Sequence, residues 1–247
     1  MRELPVAQDN KEQLAYNALQ RTYYESRPIE HNHRMVLQRS PYVLNHVDHM
    51  IDFAALKQGQ RILDVGCGMG KFTIPLREKG YDVEGFDLSP CLLEMLKEQD
   101  PAIPTTCGDV QDIDPALYEK YDHVIGFFML HHLFDLDKSF GQFARLIKPG
   151  GRVSFIEPNP NCPLFWAQIT FLPTMSWKAE KGIFNLGKRN LRGIIVRAGL
   201  KNPRISQYGI LPPFIRNRRG AAEFETGFDK IAGLRPVAAF RRIGAEI

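Results

Sequence analysis

Apolar residues recur at three- and four-residue spacing from Asp9 to Glu25 and again from Pro41 to Leu56, with a turn at Gly59. That is the period of helices that bury one face. The period then changes. Arg61 to Val65 is short and apolar, Lys71 to Lys79 returns to helical spacing before Gly80, and Asp82 to Phe86 is apolar again. Ser89 and Pro90 supply an N-cap and a first-turn proline for a helix through Leu96, followed by a short strand near Ile103 to Cys107. His123 to Phe128 is almost continuously apolar, as a strand covered on both faces requires. A helix over Leu136 to Ile147, the breaker Pro149-Gly150-Gly151 and a buried strand over Arg152 to Ile156 continue the pattern.

Strands alternating with helices at this spacing predict an α/β fold with a parallel sheet wrapped on both faces and right-handed crossovers. Residues 1–58 are expected to form an N-terminal helical cap and residues 59–247 the core. The alternation breaks after Glu157, where prolines and asparagines crowd together and Phe165, Trp166, Ile169, Phe171, Leu172, Met175 and Trp177 follow. Roughly residues 158–187 therefore read as an insertion after the fifth strand, a lid and not a core element. A helix from Lys188 to Ala198, closed by Gly199, a strand near Arg204 to Tyr208 and a last strand within Ala238 to Ile247 resume the core.

At 247 residues and 44% hydrophobic, the chain can bury one sizeable core. Its formal charge of +4 is spread among acidic residues, so no nucleic-acid partner is expected. Cys67, Cys91, Cys107 and Cys162 lie far apart, which argues against disulfides or structural zinc and for a reducing, cytoplasmic setting. No stretch approaches the ~20 apolar residues that span a bilayer. A monomer or homodimer acting on a small molecule is the expectation.

The chemistry concentrates in Ile62-Leu63-Asp64-Val65-Gly66-Cys67-Gly68-Met69-Gly70, a strand that runs into closely spaced glycines before a helix. Such a crevice at the carboxyl ends of parallel strands binds nucleotides. Asp64, two residues before the first glycine, suits a cationic amine and would repel a pyrophosphate. The spacing is GxGxG followed by Lys71, which does not match the dinucleotide fingerprint and disfavours a nucleotide-dependent oxidoreductase. Asp87, at the end of the second strand, is placed to accept from two ribose hydroxyls. An adenosine carrying an amino acid fits all three.

On these residues, with VEGFDLSP, CGDVQDI, YDHVIGFFMLHHL and LIKPGGRVSFIEPN, the chain resembles the class I S-adenosylmethionine (SAM)-dependent methyltransferases. It resembles especially the small-molecule branch that includes ubiquinone and menaquinone biosynthesis enzymes. The resemblance implies a Rossmann-like fold with a seven-stranded, mostly parallel sheet and SAM as cofactor. It also implies that Gly66, Cys67, Gly68 and Gly70 surround the methionine part, Asp87 holds the ribose and Leu88 packs on the adenine. Asp109 would accept from the adenine amine beside Val110, and Phe127 would line the pocket.

For a hydroxyl acceptor the candidate bases are His131 and His132. Tyr23 and Tyr24, in a helix of a kind that commonly closes over the cofactor in this family, are candidates to cover the methyl group. Glu157 and Asn159 are expected to contact substrate, and Trp166 to belong to an apolar lid suited to an aromatic or lipid-like acceptor. O-methylation is favoured over C- or N-methylation. Two possible ligands, Glu157 and Asn159, do not make a site, so no catalytic metal is expected, and His31 and His33 read as an exposed polar turn. Arg216, Arg218 and Arg219 read as a solvated basic loop. A SAM-binding partner without turnover is the alternative.

Overall fold

The computed structural model describes residues 5–26, 39–171 and 177–247. His31, His33, Leu172 and Met175 lie outside them. Two helices precede the sheet, α1 (Pro5–Glu25) and α2 (Pro41–Ala54). The start of α2 is set by Ser40, whose side chain accepts from the Val43 N–H, with Pro41 in the first turn. Then come β1 (Arg61–Val65), α3 (Thr73–Glu78), β2 (Asp82–Asp87), α4 (Pro90–Gln99) and β3 (Thr105–Cys107). Ser89 caps α4 by accepting from the Leu92 N–H, as the Ser-Pro pair predicts. The chain continues through β4 (Tyr121–Phe127), α5 (Leu136–Leu146), β5 (Ile147–Pro158), α6 (Pro163–Phe171), α7 (Lys188–Arg197), β6 (Lys201–Tyr208), α8 (Ala221–Lys230) and β7 (Phe240–Glu246).

The seven strands form one sheet in the order β3-β2-β1-β4-β5-β7-β6, parallel from β3 to β5, with β7 antiparallel to both β5 and β6. Strand order reverses between β1 and β4. Their carboxyl ends therefore diverge, and a crevice opens there.

β5 begins earlier than its composition predicts. It starts at Ile147, paired with Tyr121, and crosses Pro149-Gly150-Gly151 as an irregularity in the ladder before His123 meets Arg152. Gly150 takes φ 79°, a conformation open to glycine at no steric cost.

The predicted lid is also more than a lid. Cys162, Phe165, Ile169, Ile183 and Leu186 are buried in the same apolar cluster as Phe140, Phe143 and Phe155 from α5 and β5. Only the other side of the segment faces out, with Phe171, Trp177 and Phe184 exposed. On the opposite face of the sheet, Val43, Val47 and Met50 of α2 pack with Ile62, Ile125 and Ile156.

Candidate functional site

The crevice is a cavity of about 690 Å³. One wall comes from the ends of β1, β2 and β3 with the loops that follow them. The opposite wall carries Tyr42, Phe72, Phe128 and Phe240, and α1, the loop after β4 and the start of α6 enclose the rest.

The glycine loop folds back onto β2, with the Gly66 N–H donating to the Phe86 carbonyl at 2.7 Å. Gly66, Cys67 and Gly68 face the cavity. Gly68, at φ 53°, donates its N–H to Asp87 Oδ2 at 2.8 Å. Gly70 does not face the cavity: a Cβ there would stand 2.3 Å from Leu96 Cδ1, so this glycine lets the loop pack on α4. Asp64 is likewise beneath the loop and not on the cavity wall. Its Oδ2 accepts from Thr73 Oγ1 at 2.7 Å, while its buried Oδ1 has no partner among the described residues. Burial pushes the Asp64 carboxyl up to about 7.

Asp87 lines the cavity and accepts one backbone N–H on each oxygen, from Gly68 and, at 2.9 Å, from Ser89. Burial raises its pKa and those backbone bonds oppose the rise. A carboxylate oxygen has two acceptor positions, so each Asp87 oxygen keeps one for a ligand. Leu88, Val110 and Phe127 stand on the cavity wall as the sequence predicts. Asp109 does too, but its Oδ2 accepts from the side-chain amides of Gln13 at 2.6 Å and Asn17 at 2.7 Å, so α1 lies across it. Four residues apart, Gln13 and Asn17 share one helix face, which was legible; the carboxylate they reach was not.

The loop after β4 depends on Glu157. Its Oε1 accepts from the Met129 and Leu130 N–H groups at 2.8 and 2.6 Å, and its Oε2 lies 2.5 Å from His131 Nδ1. Fully buried and off the cavity wall, where a substrate contact was expected, Glu157 instead positions a loop. Asn159 departs from its expected role for the same reason. Its amide donates to the Pro236 and Ala238 carbonyls and its oxygen accepts from Arg241 and the Asn161 N–H.

His131 lines the cavity, but Glu157 holds one ring nitrogen and Glu180 lies 3.1 Å from the other. Burial alone would lower its pKa; the two carboxylates outweigh that and push it up to about 9. An imidazolium engaged on both sides is no general base at neutral pH. Glu180 was not foreseen, because its segment shows no period that points it inward. Gly182, two residues on, lets that segment lie against the His131 backbone, where a Cβ would overlap the His131 carbonyl. His131, His132 and Glu180 present ligand-type atoms within 4.8 Å of one another.

His132 keeps its place as a candidate. It lines the cavity, and its Nε2 lies 2.6 Å from the Tyr24 hydroxyl. Tyr24 is on the cavity wall, whereas Tyr23 packs edge-on against it and is not. Trp166 is also off the wall: it stacks with Trp177 and Phe184 at centroid distances of 5.5 and 5.1 Å on the outer side of the segment. Arg216 is no solvated cation either, since it pairs with the buried Glu225 at 2.6 Å. Glu225 in turn accepts from the Ile210 and Leu211 N–H groups and so fixes a loop of the cavity rim.

Residues 39–203 match a family described as methyltransferase domain. A ubiquinone biosynthesis O-methyltransferase of Alkalilimnicola ehrlichii is 32% identical over 114 residues, 44% of this chain and 46% of that one. The chain spans about half the length of the curated relatives it matches. Among solved structures, a SAM-dependent methyltransferase from Thermotoga maritima superposes with a TM-score of 0.67 at 15% identity, covering 92% of this chain and 99% of that one. A Haemonchus contortus phosphoethanolamine N-methyltransferase in complex with SAM gives 0.55 at 19% identity, covering 82% and 52%. Among the described residues, no helix is long and apolar enough to cross a membrane.

Proposed function

Since the chain belongs to the methyltransferase-domain family, whose fold it shares with SAM-dependent methyltransferases, we propose that it moves the methyl group of SAM to a hydroxyl on a small aromatic or lipid-like acceptor. The observation that carries this reading is a single cavity with two unlike walls. Asp87 offers two acceptor positions beside a glycine loop on one side, and Tyr42, Phe72, Phe128 and Phe240 make an apolar surface on the other.

When bound, SAM supplies an electrophilic methyl on a sulfonium, and its positive charge disperses as the methyl leaves. The protein then has three tasks: to hold two reactants in line, to exclude water and to remove the acceptor proton. α1 serves the second by lying across the cavity, latched by Gln13 and Asn17 on Asp109 and by Ser89 Oγ donating to Glu25 at 2.6 Å. His132 serves the third, because its Nε2 already faces a hydroxyl, that of Tyr24, on the cavity wall. The Glu157–His131–Glu180 cluster fixes the turn that carries His132.

The relatives named ubiquinone biosynthesis O-methyltransferase support oxygen as the acceptor atom. Transfer of labelled methyl from SAM to a panel of catechols, phenols and isoprenylated phenols tests the reading. Turnover on hydroxylated acceptors is expected, with none on their fully O-methylated counterparts. Methylation of amines alone would refute it.

A further inference from the structure

Lys71 follows the glycine loop directly and has no part in the chemistry above. Its side chain lines the cavity, with the ammonium 5.4 Å from the Phe72 ring centroid and 5.9 Å from that of Tyr42. Aromatic faces attract a cation but do not neutralise it. None of the carboxylates on the cavity wall bonds to it: Asp87 accepts from Gly68 and Ser89, Asp109 from Gln13 and Asn17, and Glu180 lies against His131. Among the described residues, none pairs with Lys71. The buried carboxylate nearby, Glu225, is taken by Arg216 at 2.6 Å. Burial alone pushes the Lys71 ammonium down to about 8.

A cation set in an apolar, aromatic surround without a counter-ion is costly unless a ligand supplies one. A second donor stands at the same end. Asn217 lines the cavity, and its oxygen is taken by the Tyr42 N–H at 2.9 Å, which leaves its amide nitrogen to donate. The rings around them form one surface: Phe72 stacks on Phe127 at 4.3 Å, and Phe128 and Phe240 meet edge to face at 5.9 Å.

We propose that Lys71 is the carboxylate anchor of this cavity, which makes the acceptor an aromatic acid lying on the Tyr42–Phe72 surface with its acid group on the Lys71 ammonium. The proposal rests on the methyl-transfer reading. A carboxylate could also come from the amino-acid part of the cofactor, and the two sources are separable.

The test is calorimetric titration of the full chain and of its Lys71→Met and Lys71→Arg variants. The probes are S-adenosylhomocysteine, 5′-methylthioadenosine (which lacks the amino acid), and 4-hydroxybenzoate and phenol added to the S-adenosylhomocysteine-saturated protein. A charge-assisted bond of this kind is worth about tenfold or more in affinity. Lys71→Met should weaken 4-hydroxybenzoate by about that factor, to the level of phenol, while 5′-methylthioadenosine binds as before and Lys71→Arg keeps most of the affinity.

A comparable loss for S-adenosylhomocysteine with 4-hydroxybenzoate spared would assign the carboxylate on Lys71 to the cofactor and overturn the aromatic-acid acceptor. If Lys71→Met changes the binding of neither acid while 5′-methylthioadenosine still binds, the anchor is overturned. If the unaltered protein binds neither adenosyl compound, it is the methyl-transfer reading that fails.

Discussion

Replacing Asp87 with Asn tests the adenosine wall at the carboxylate that would hold the ribose. The carboxylate accepts from the Gly68 N–H at 2.8 Å through Oδ2 and from the Ser89 N–H at 2.9 Å through Oδ1, leaving one acceptor position on each oxygen for a pair of neighbouring hydroxyls. An asparagine has one oxygen. Its amide nitrogen must face either Gly68 or Ser89, donor to donor, and one ligand hydroxyl loses its acceptor. A hydrogen bond to a charged group contributes about 1.5–3 kcal/mol, so the Kd for S-adenosylhomocysteine should rise by roughly 10- to 150-fold. The 5′-methylthioadenosine Kd should rise by the same factor, because the two compounds share the ribose. The stranded backbone donor should also lower the melting temperature by a few degrees. Titration calorimetry with both compounds, beside a thermal melt, reads all three. A folded Asp87→Asn protein that binds S-adenosylhomocysteine with unchanged affinity would refute the ribose assignment, and so would a loss confined to the compound that carries the amino acid.

Further outcomes follow from the same geometry. The folded-state pKa of His131 is raised to about 9 from an ordinary 6.5, so its charged form stabilises the fold fully below about pH 6.5, and that stability, about 3 kcal/mol, is lost as pH rises through about 9. Thermal melts from pH 6 to 10 should show the decline, and a His131→Gln protein that declines equally would contradict it. Glu157→Gln should cost about 3–5 kcal/mol in urea unfolding, because it leaves a buried imidazolium with only Glu180; a loss under 1 kcal/mol would mean the cluster is not ionic. His132→Ala should lower kcat by about 100-fold or more with S-adenosylhomocysteine affinity intact, and unaltered kcat would remove it as the base. Gly70→Ala, with φ 87° and Leu96 Cδ1 at 2.3 Å from the added carbon, should destabilise by about 1–3 kcal/mol as read by chemical denaturation, whereas a neutral effect would mean α4 can shift freely.

Much of the core was legible because its signals are local. β1 has the bounds its apolar run predicts, and Ser89 caps the helix that its Ser-Pro pair announces. Gly66, Gly68 and Asp87 face the cavity because a strand-loop-helix unit fixes its own geometry. What was not legible depends on partners distant in the chain. Glu157 follows a buried strand and reads as a substrate contact, yet it is consumed by Met129, Leu130 and His131. Asn159 is consumed by the segment before β7 in the same way. Trp166 looks like a lid residue, but its neighbours Phe165 and Ile169 take the inward positions and leave its ring to stack outside. Neither Glu180 nor the isolation of Lys71 shows in composition, since both depend on which carboxylate reaches which cation after folding. Pro149-Gly150-Gly151 reads as a breaker, whereas the ladder tolerates it as an irregularity within β5.

The most direct measurement is titration of the purified chain with S-adenosylhomocysteine and with SAM, using NADPH as the control. Saturable one-to-one binding of both adenosyl compounds, with no heat from NADPH, is the predicted result. A well-folded sample that binds NADPH, or that binds neither adenosyl compound, would contradict the central claim.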